Sequence, residues 1–385
     1  MLDIADHYSP IAVAQPVLDD LAHRLEQVRW PLAPAGASWQ HGTSLGFMRE
    51  LVDYWREGFD WRAVEMRLNR FRHYRLPAGD RRIHAIVEPG SGSSRPPLLL
   101  LHGWPGSVIE FLPLIEPLAH PARFGGRAED GVTVIAASLP GYAFSDPPDG
   151  PIGPREAGVW LRAMMTQTLG FARFAVHGGD WGAAIASWMA HDAPAQVASI
   201  HLTSAILQPD VANAEPPLDD AELAHIEARR IRGPWESGYQ AIQGTKPLTL
   251  AYGLADSPVG LAAWVIEKYH GWSVARGTDR APPMDRDDLL TVAMLYWLAE
   301  PGPASWMYRF LVDGTAFRLP KGHRVEVPTS LCLFGDDISP IAPLRWQQRS
   351  YNVVSRTLIP HGSHFPGLDA APALLEDLKK FVAAL

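Results

Sequence analysis

Asp180 stands in the run Gly178-Gly179-Asp180-Trp181-Gly182, directly after the apolar segment 174–177 and directly before a helix-patterned run over 183–189. A strand, a sharp turn of small residues and a helix display the central residue of the turn, in a strained backbone conformation that only small neighbours permit. A carboxylate at that point changes the chemistry available. Attack on an acyl carbonyl would give an unstable anhydride, whereas displacement at an sp³ carbon gives an ester that water can cleave. The residue type therefore points to transfer of an alkyl group to Asp180, followed by hydrolysis. Without the strand before it and the helix after it, the same pentapeptide would read equally as an acidic turn.

Such a nucleophile needs oxyanion donors, a base and an acid to orient the base. His102-Gly103-Trp104-Pro105-Gly106 follows the apolar run 98–101. In this arrangement that loop supplies one backbone donor and the residue after the nucleophile supplies the other, which assigns the N–H groups of Trp104 and Trp181. Pro105 has no N–H to offer. His102, at the loop entrance, reads as a residue that orients backbone rather than as the base. The base is expected near the C-terminal end, where 360–365 offers His361 and His364. His364 is preferred because Gly362-Ser363-His364-Phe365 follows the last strand and precedes the final helix. The acid should end the strand 330–334, where Asp336 and Asp337 both qualify; Asp337 is the preferred one.

These residues require a sheet that lines up their loops. Short apolar runs ending in turn residues recur at 98–101, 132–137, 174–176 and 200–202, and again at 330–334 and 353–359, the pattern of buried parallel strands. Between 208 and 320 that rhythm stops, and Pro, Trp, Tyr and Leu fall into helical spacing, so this stretch reads as a helical cap inserted into the α/β domain. Residues 1–92 read as a helical N-terminal lobe, with Val17, Leu18, Leu21, Leu25 and Val28 on one face and 83–87 as its closing strand. A turn or linker at 90–94 leads into the catalytic domain, assigned to 93–207 and 321–385. Its final helix, 372–385, carries Leu374, Leu375, Leu378, Phe381, Val382 and Leu385 along one face.

Composition narrows the function further. With 47% apolar and 20% charged residues over 385 positions the chain folds around a substantial core, and a net charge of −8 gives no attraction for phosphate backbones or anionic lipids. The basic stretch 61–84 reads as a solvated helix face running into a strand. The one cysteine, Cys332, lies in an apolar run and reads as a core side chain, so no internal disulfide exists. No secretion signal, eighteen-residue apolar run, nucleotide-type glycine loop or convincing His/Cys cluster is visible. The expectations are a cytoplasmic protein without cofactor or metal, acting on a small molecule and water, without nucleic acid or membrane as partner. The sequence leaves monomer or homodimer open.

The motifs together resemble the microsomal-type branch of the epoxide hydrolases. The resemblance is carried by His102-Gly103-Trp104-Pro105-Gly106-Ser107, by 138–145, by Gly178 to Gly182 and by Gly362-Ser363-His364-Phe365. Leu51-Val52-Asp53-Tyr54-Trp55-Arg56 and Asp60-Trp61-Arg62 resemble that family's N-terminal region, so nearly the whole chain is covered. The resemblance implies an α/β-hydrolase fold, a mostly parallel central sheet flanked by helices, and a covalent hydroxyalkyl ester on Asp180. It also implies two cap tyrosines that donate to the epoxide oxygen, for which Tyr252 and Tyr308 are the candidates; Tyr142, Tyr269 and Tyr296 are left to packing. The chemical logic of a phenol there is that ring opening leaves an alkoxide in need of a proton. Two rivals share the sequence features: a hydrolytic dehalogenase, and a binding protein of the same fold that does not turn its ligand over.

Overall fold

In a computed structural model the chain is described over residues 4–92 and 94–385, the side chains of 232–235 excepted, so that Ser93 of the expected linker lies outside the described residues. Among the described residues eight strands form one sheet: β1 (His73–Ala78), β2 (Arg81–Glu88), β3 (Leu98–Leu101), β4 (Val134–Ala137), β5 (Phe174–Gly178), β6 (Val197–Leu202), β7 (Val325–Phe334) and β8 (Tyr351–Ile359). Their order is β1-β2-β4-β3-β5-β6-β7-β8. From β4 to β8 every pair is parallel, and β2 meets both β1 and β4 antiparallel.

The quartet of leucines in β3 shows how the sheet is filled from both sides. Successive side chains of a strand point to opposite faces. Leu98 and Leu100 join a core with Leu374, Leu378 and Phe381 of the C-terminal helix, whereas Leu99 and Leu101 join one with Ala157, Leu161 and Ile185. All four are fully buried. Helices α4 (Leu112–Ala119), α5 (Pro154–Ala163) and α6 (Asp180–Asp192) connect the central strands, and α13 (Leu344–Ser350), α14 (Pro366–Asp369) and α15 (Ala371–Ala383) follow β7 and β8.

The N-terminal stretch contributes more than a helical lobe. Its helices α1 (Gln15–Glu26), α2 (Leu45–Glu57) and α3 (Trp61–Leu68) are followed by β1 and β2, which extend the catalytic sheet itself. The segment expected as the lobe's closing strand, 83–87, lies in β2, which pairs with β1 on one side and with β4 on the other. β1 escapes a reading by pattern because it holds Pro77, a residue tolerated on an edge strand; β1 ends the sheet, its outer edge met near its start by the bridge of Tyr8 to Tyr74. Four arginines of the basic stretch pair with carboxylates: Arg62 with Glu65 at 2.6 Å, Arg67 with Asp288 at 2.9 Å, Arg75 with Asp146 and Arg81 with Asp149.

Between β6 and β7 lies the cap, with α7 (Asp220–Glu236), α8 (Gly238–Thr245), α9 (Pro247–Asp256), α10 (Pro258–Gly271), α11 (Arg286–Ala299) and α12 (Arg309–Val312). Three buried phenols fasten it to the loops of the sheet. Tyr296 donates to the Gly106 carbonyl at 3.0 Å, Tyr269 to that of Pro105 at 3.3 Å, and Tyr142 reaches up to Ala304 O at 2.8 Å. The N-terminal lobe braces the cap from outside, where the Trp39 indole stacks on His270 at 4.0 Å and Tyr54 donates to Asp287 at 2.7 Å.

Candidate active site

Asp180 is the first residue of α6 and has φ +47°, a left-handed conformation that a non-glycine side chain adopts only under constraint. The constraint comes from β5 and α6 crossing at close range. A Cβ on Gly178 would collide with the backbone of Gly182, and one on Gly182 with the Leu101 carbonyl. Gly103 is required for a different reason: a side chain there would occupy the space of the Asp180 carboxylate.

The two oxygens of that carboxylate meet different partners. Oδ1 accepts the Trp104 N–H at 2.9 Å, while Oδ2 lies 3.5 Å from Nε2 of His364. On its other side the His364 ring is held by Asp337, Nδ1 donating to Oδ1 at 2.9 Å, and its own backbone N–H donates to Trp272 O at 3.1 Å. Asp336, the alternative acid, turns away: it accepts the Gly362 N–H at 3.1 Å and faces His361 at 3.7 Å, whose side chain is 91% exposed. The nucleophile, base and acid candidates are thus brought together from β5, β7 and β8. His102 is buried as a backbone anchor, Nε2 accepting the Leu139 N–H at 3.2 Å and Nδ1 facing the Gly103 carbonyl at 3.0 Å, and burial lowers its pKa to about 4. Trp181, second in α6, has an N–H outside the helix's own hydrogen-bond ladder, as every first-turn donor does.

Charge in this site is set by competition. Burial works to strip His364 of its proton, but Asp337 and then Asp180 outweigh it and hold the imidazole pKa well above its usual range. Behind the nucleophile sits Glu110, which caps its own turn by accepting the Ser107 N–H at 3.0 Å; burial raises its pKa to about 8. Glu110, Asp180, His364 and Gly103 line a cavity of ≈ 20 Å³, room for one water molecule.

In front of the nucleophile opens a larger cavity of ≈ 440 Å³, lined by Asp180, Trp181, His364, Trp272, Tyr239 and Tyr308 among others. Tyr308 is 1% exposed, and its hydroxyl has no partner of ordinary hydrogen-bond geometry. Burial raises its pKa, and Tyr239 and Asp180 push the same way. The Tyr239 ring stacks on Trp104 at 5.0 Å and meets Tyr308 at 5.5 Å, and its oxygen accepts from Gln240 at 3.0 Å. Tyr252, expected beside Tyr308, lies elsewhere. It is 74% exposed on α9, where it shares the outer face with Leu248, one helical turn earlier. Tyr239, which the sequence reading overlooked, occupies the place expected of it. No local spacing separates the two; what decides is which cap helix turns its phenol toward the sheet.

Comparison with known proteins agrees with these motifs. Residues 7–111 match the family described as epoxide hydrolase N terminus, and 96–226 match the alpha/beta hydrolase fold family. A Stigmatella aurantiaca protein named for epoxide hydrolysis is 37% identical over 375 residues, covering 96% of this chain and 83% of that one. Epoxide hydrolase 1 of Sus scrofa is 32% identical over 397 residues, covering 96% and 86%. The solved structure of Aspergillus niger epoxide hydrolase superposes with a TM-score of 0.83 at 26% identity, covering 100% of this chain and 97% of the other.

Proposed function

This chain belongs to the epoxide hydrolase family and is an epoxide hydrolase of the α/β-hydrolase fold, and from that premise we propose that it works through a covalent ester on Asp180. The carrying observation is that the two carboxylate oxygens are already divided between tasks. Oδ1, held by the Trp104 N–H, is the oxygen on which charge collects in a tetrahedral intermediate, where the Trp181 N–H is the second donor. Oδ2 is left to attack an epoxide carbon. As the C–Oδ2 bond forms, the ring C–O bond breaks and its electron pair stays on the ring oxygen, which takes a proton from the phenol of Tyr239 or Tyr308.

Hydrolysis follows from the other side. A water in the small cavity, positioned by Glu110, gives a proton to Nε2 of His364 and adds its oxygen to Cγ of Asp180. The proton that His364 sheds after esterification restores the phenol spent in ring opening. Collapse of the adduct then breaks the Cγ–Oδ2 bond, the departing oxygen takes the proton of the newly added hydroxyl, and the diol leaves with Asp180 again a carboxylate and His364 again protonated. The switch between the two steps is electrostatic. In the free enzyme two carboxylates hold the proton on His364; esterification removes the charge of Asp180, and burial then favours the neutral imidazole that the second step needs.

The pH dependence has a defined sign. Below the imidazole pKa of the esterified enzyme the second step is expected to slow about tenfold per pH unit, while ester formation, compatible with protonated His364, continues. Acidification should therefore accumulate the ester. Rapid mixing of excess enzyme with styrene oxide, quenched across a pH series, measures both steps; parallel slowing of the two would sink the assignment of His364 as base.

A further inference from the structure

The larger cavity that holds the catalytic groups is lined as well by His225 and Arg229 of α7. Glu222, His225 and Arg229 recur there at helical spacing and share a face. Glu222 is spoken for, accepting from Arg349 at 2.6 Å, and the neighbouring Arg345 reaches Asp219 at 3.2 Å. Arg229 differs from these two arginines. It lines the cavity, and among the described residues its guanidinium has one polar partner, the neutral Oε1 of Gln208 at 2.7 Å. Arg229 is exposed to solvent, and among the described residues no carboxylate lies within ion-pairing distance of it. A guanidinium carries five donors in a fork matched to a carboxylate, and the bond to Gln208 uses one of them.

The same cavity is lined by the apolar side chains of Ile206, Leu311, Phe317, Leu333 and Ile338. Glu236 also lines the cavity, but it lies seven residues along α7, about 10 Å from Arg229 by helix rise, and acts on Tyr239. His225 packs against Trp346 at 5.3 Å and is kept neutral by burial and by Arg229, so it adds a hydrogen-bond donor without a second charge.

Resting on the epoxide hydrolase reading above, we infer that the substrates are amphipathic epoxides in which an apolar chain separates the oxirane from a carboxylate, and that Arg229 recognises that carboxylate. The apolar wall takes the chain, the floor takes the ring, and the cavity volume suits a ligand of that size. A polar group that answers an otherwise unpaired cation discriminates more strongly than added apolar length.

The test compares 10,11-epoxyundecanoate with its methyl ester on the full chain, with diol formation as readout and styrene oxide as reference. Wild type is expected to favour the acid about tenfold in kcat/KM, as for one charge-assisted contact at a solvent-open mouth. Arg229→Gln should bring the ratio of acid to ester to about one, Arg229→Lys should restore part of it, and added salt should shrink it. Equal kcat/KM for acid and ester in wild type, or a preference that survives Arg229→Gln, overturns the inference. If styrene oxide is opened in those cases, the enzyme assignment stands; if no epoxide is opened, that premise and the inference fall together.

Discussion

His364→Gln is expected to separate the reaction into a step that still runs and one that does not. Ester formation on Asp180 needs the carboxylate and a proton donor in the cap, and neither is removed. Hydrolysis needs a base at 3.5 Å from Oδ2, and glutamine cannot accept the proton. Turnover should fall about ten-thousandfold, the scale seen when one member of a nucleophile-base-acid set is lost. The mass of the whole protein should rise by one substrate after mixing with styrene oxide, and peptide mapping should place the increment on Asp180. Asp180→Asn should give neither adduct nor diol, and Asp337→Asn should slow the second step because Nδ1 loses the acceptor that orients the ring. Unmodified His364→Gln protein with near-normal diol release would refute the two-step scheme.

The parts of this site that could be read from the chain are those fixed by local backbone geometry. A strand, Gly-Gly-Asp-Trp-Gly and a helix specify the elbow because two glycines must pass the β3 loop and the β5 terminus at close range. The choice of Asp337 over Asp336 has a comparable origin: one of two adjacent carboxylates closes the turn with Gly362, which leaves the other for the ring of His364. What escaped depends on contacts between distant segments. Glu110 reads locally as the end of a capping box with Ser107, and its place beside His364 emerges only once α4 and α14 pack together. β1 hides behind Pro77 and the charged Arg75, whose carboxylate, Asp146, lies far along the chain. Tyr239 and Tyr252 belong to successive cap helices, and the turn at Lys246 between them decides which phenol faces the nucleophile.

That last distinction carries the second large effect. Tyr239→Phe and Tyr308→Phe should each lower the rate of ester formation by about a hundredfold, and the double variant by more, because an alkoxide leaving into this aromatic-lined cavity has no other phenol among the described lining residues. Both phenols are buried among Trp104, Trp181 and Trp272, so loss of the hydroxyl removes a proton donor while the rings keep their packing. Tyr308 should be the less damaging substitution for folding, since its oxygen has no ordinary partner to lose, whereas Tyr239→Phe leaves the Gln240 amide without its acceptor. Tyr252→Phe serves as the contrast: an exposed hydroxyl on the outer face of α9 should change the rate by no more than about twofold. Pre-steady-state ester formation with styrene oxide, measured for all three, orders them. A large loss in Tyr252→Phe with Tyr239→Phe unaffected would mean that the cap closes with α9, not α8, over the nucleophile during turnover.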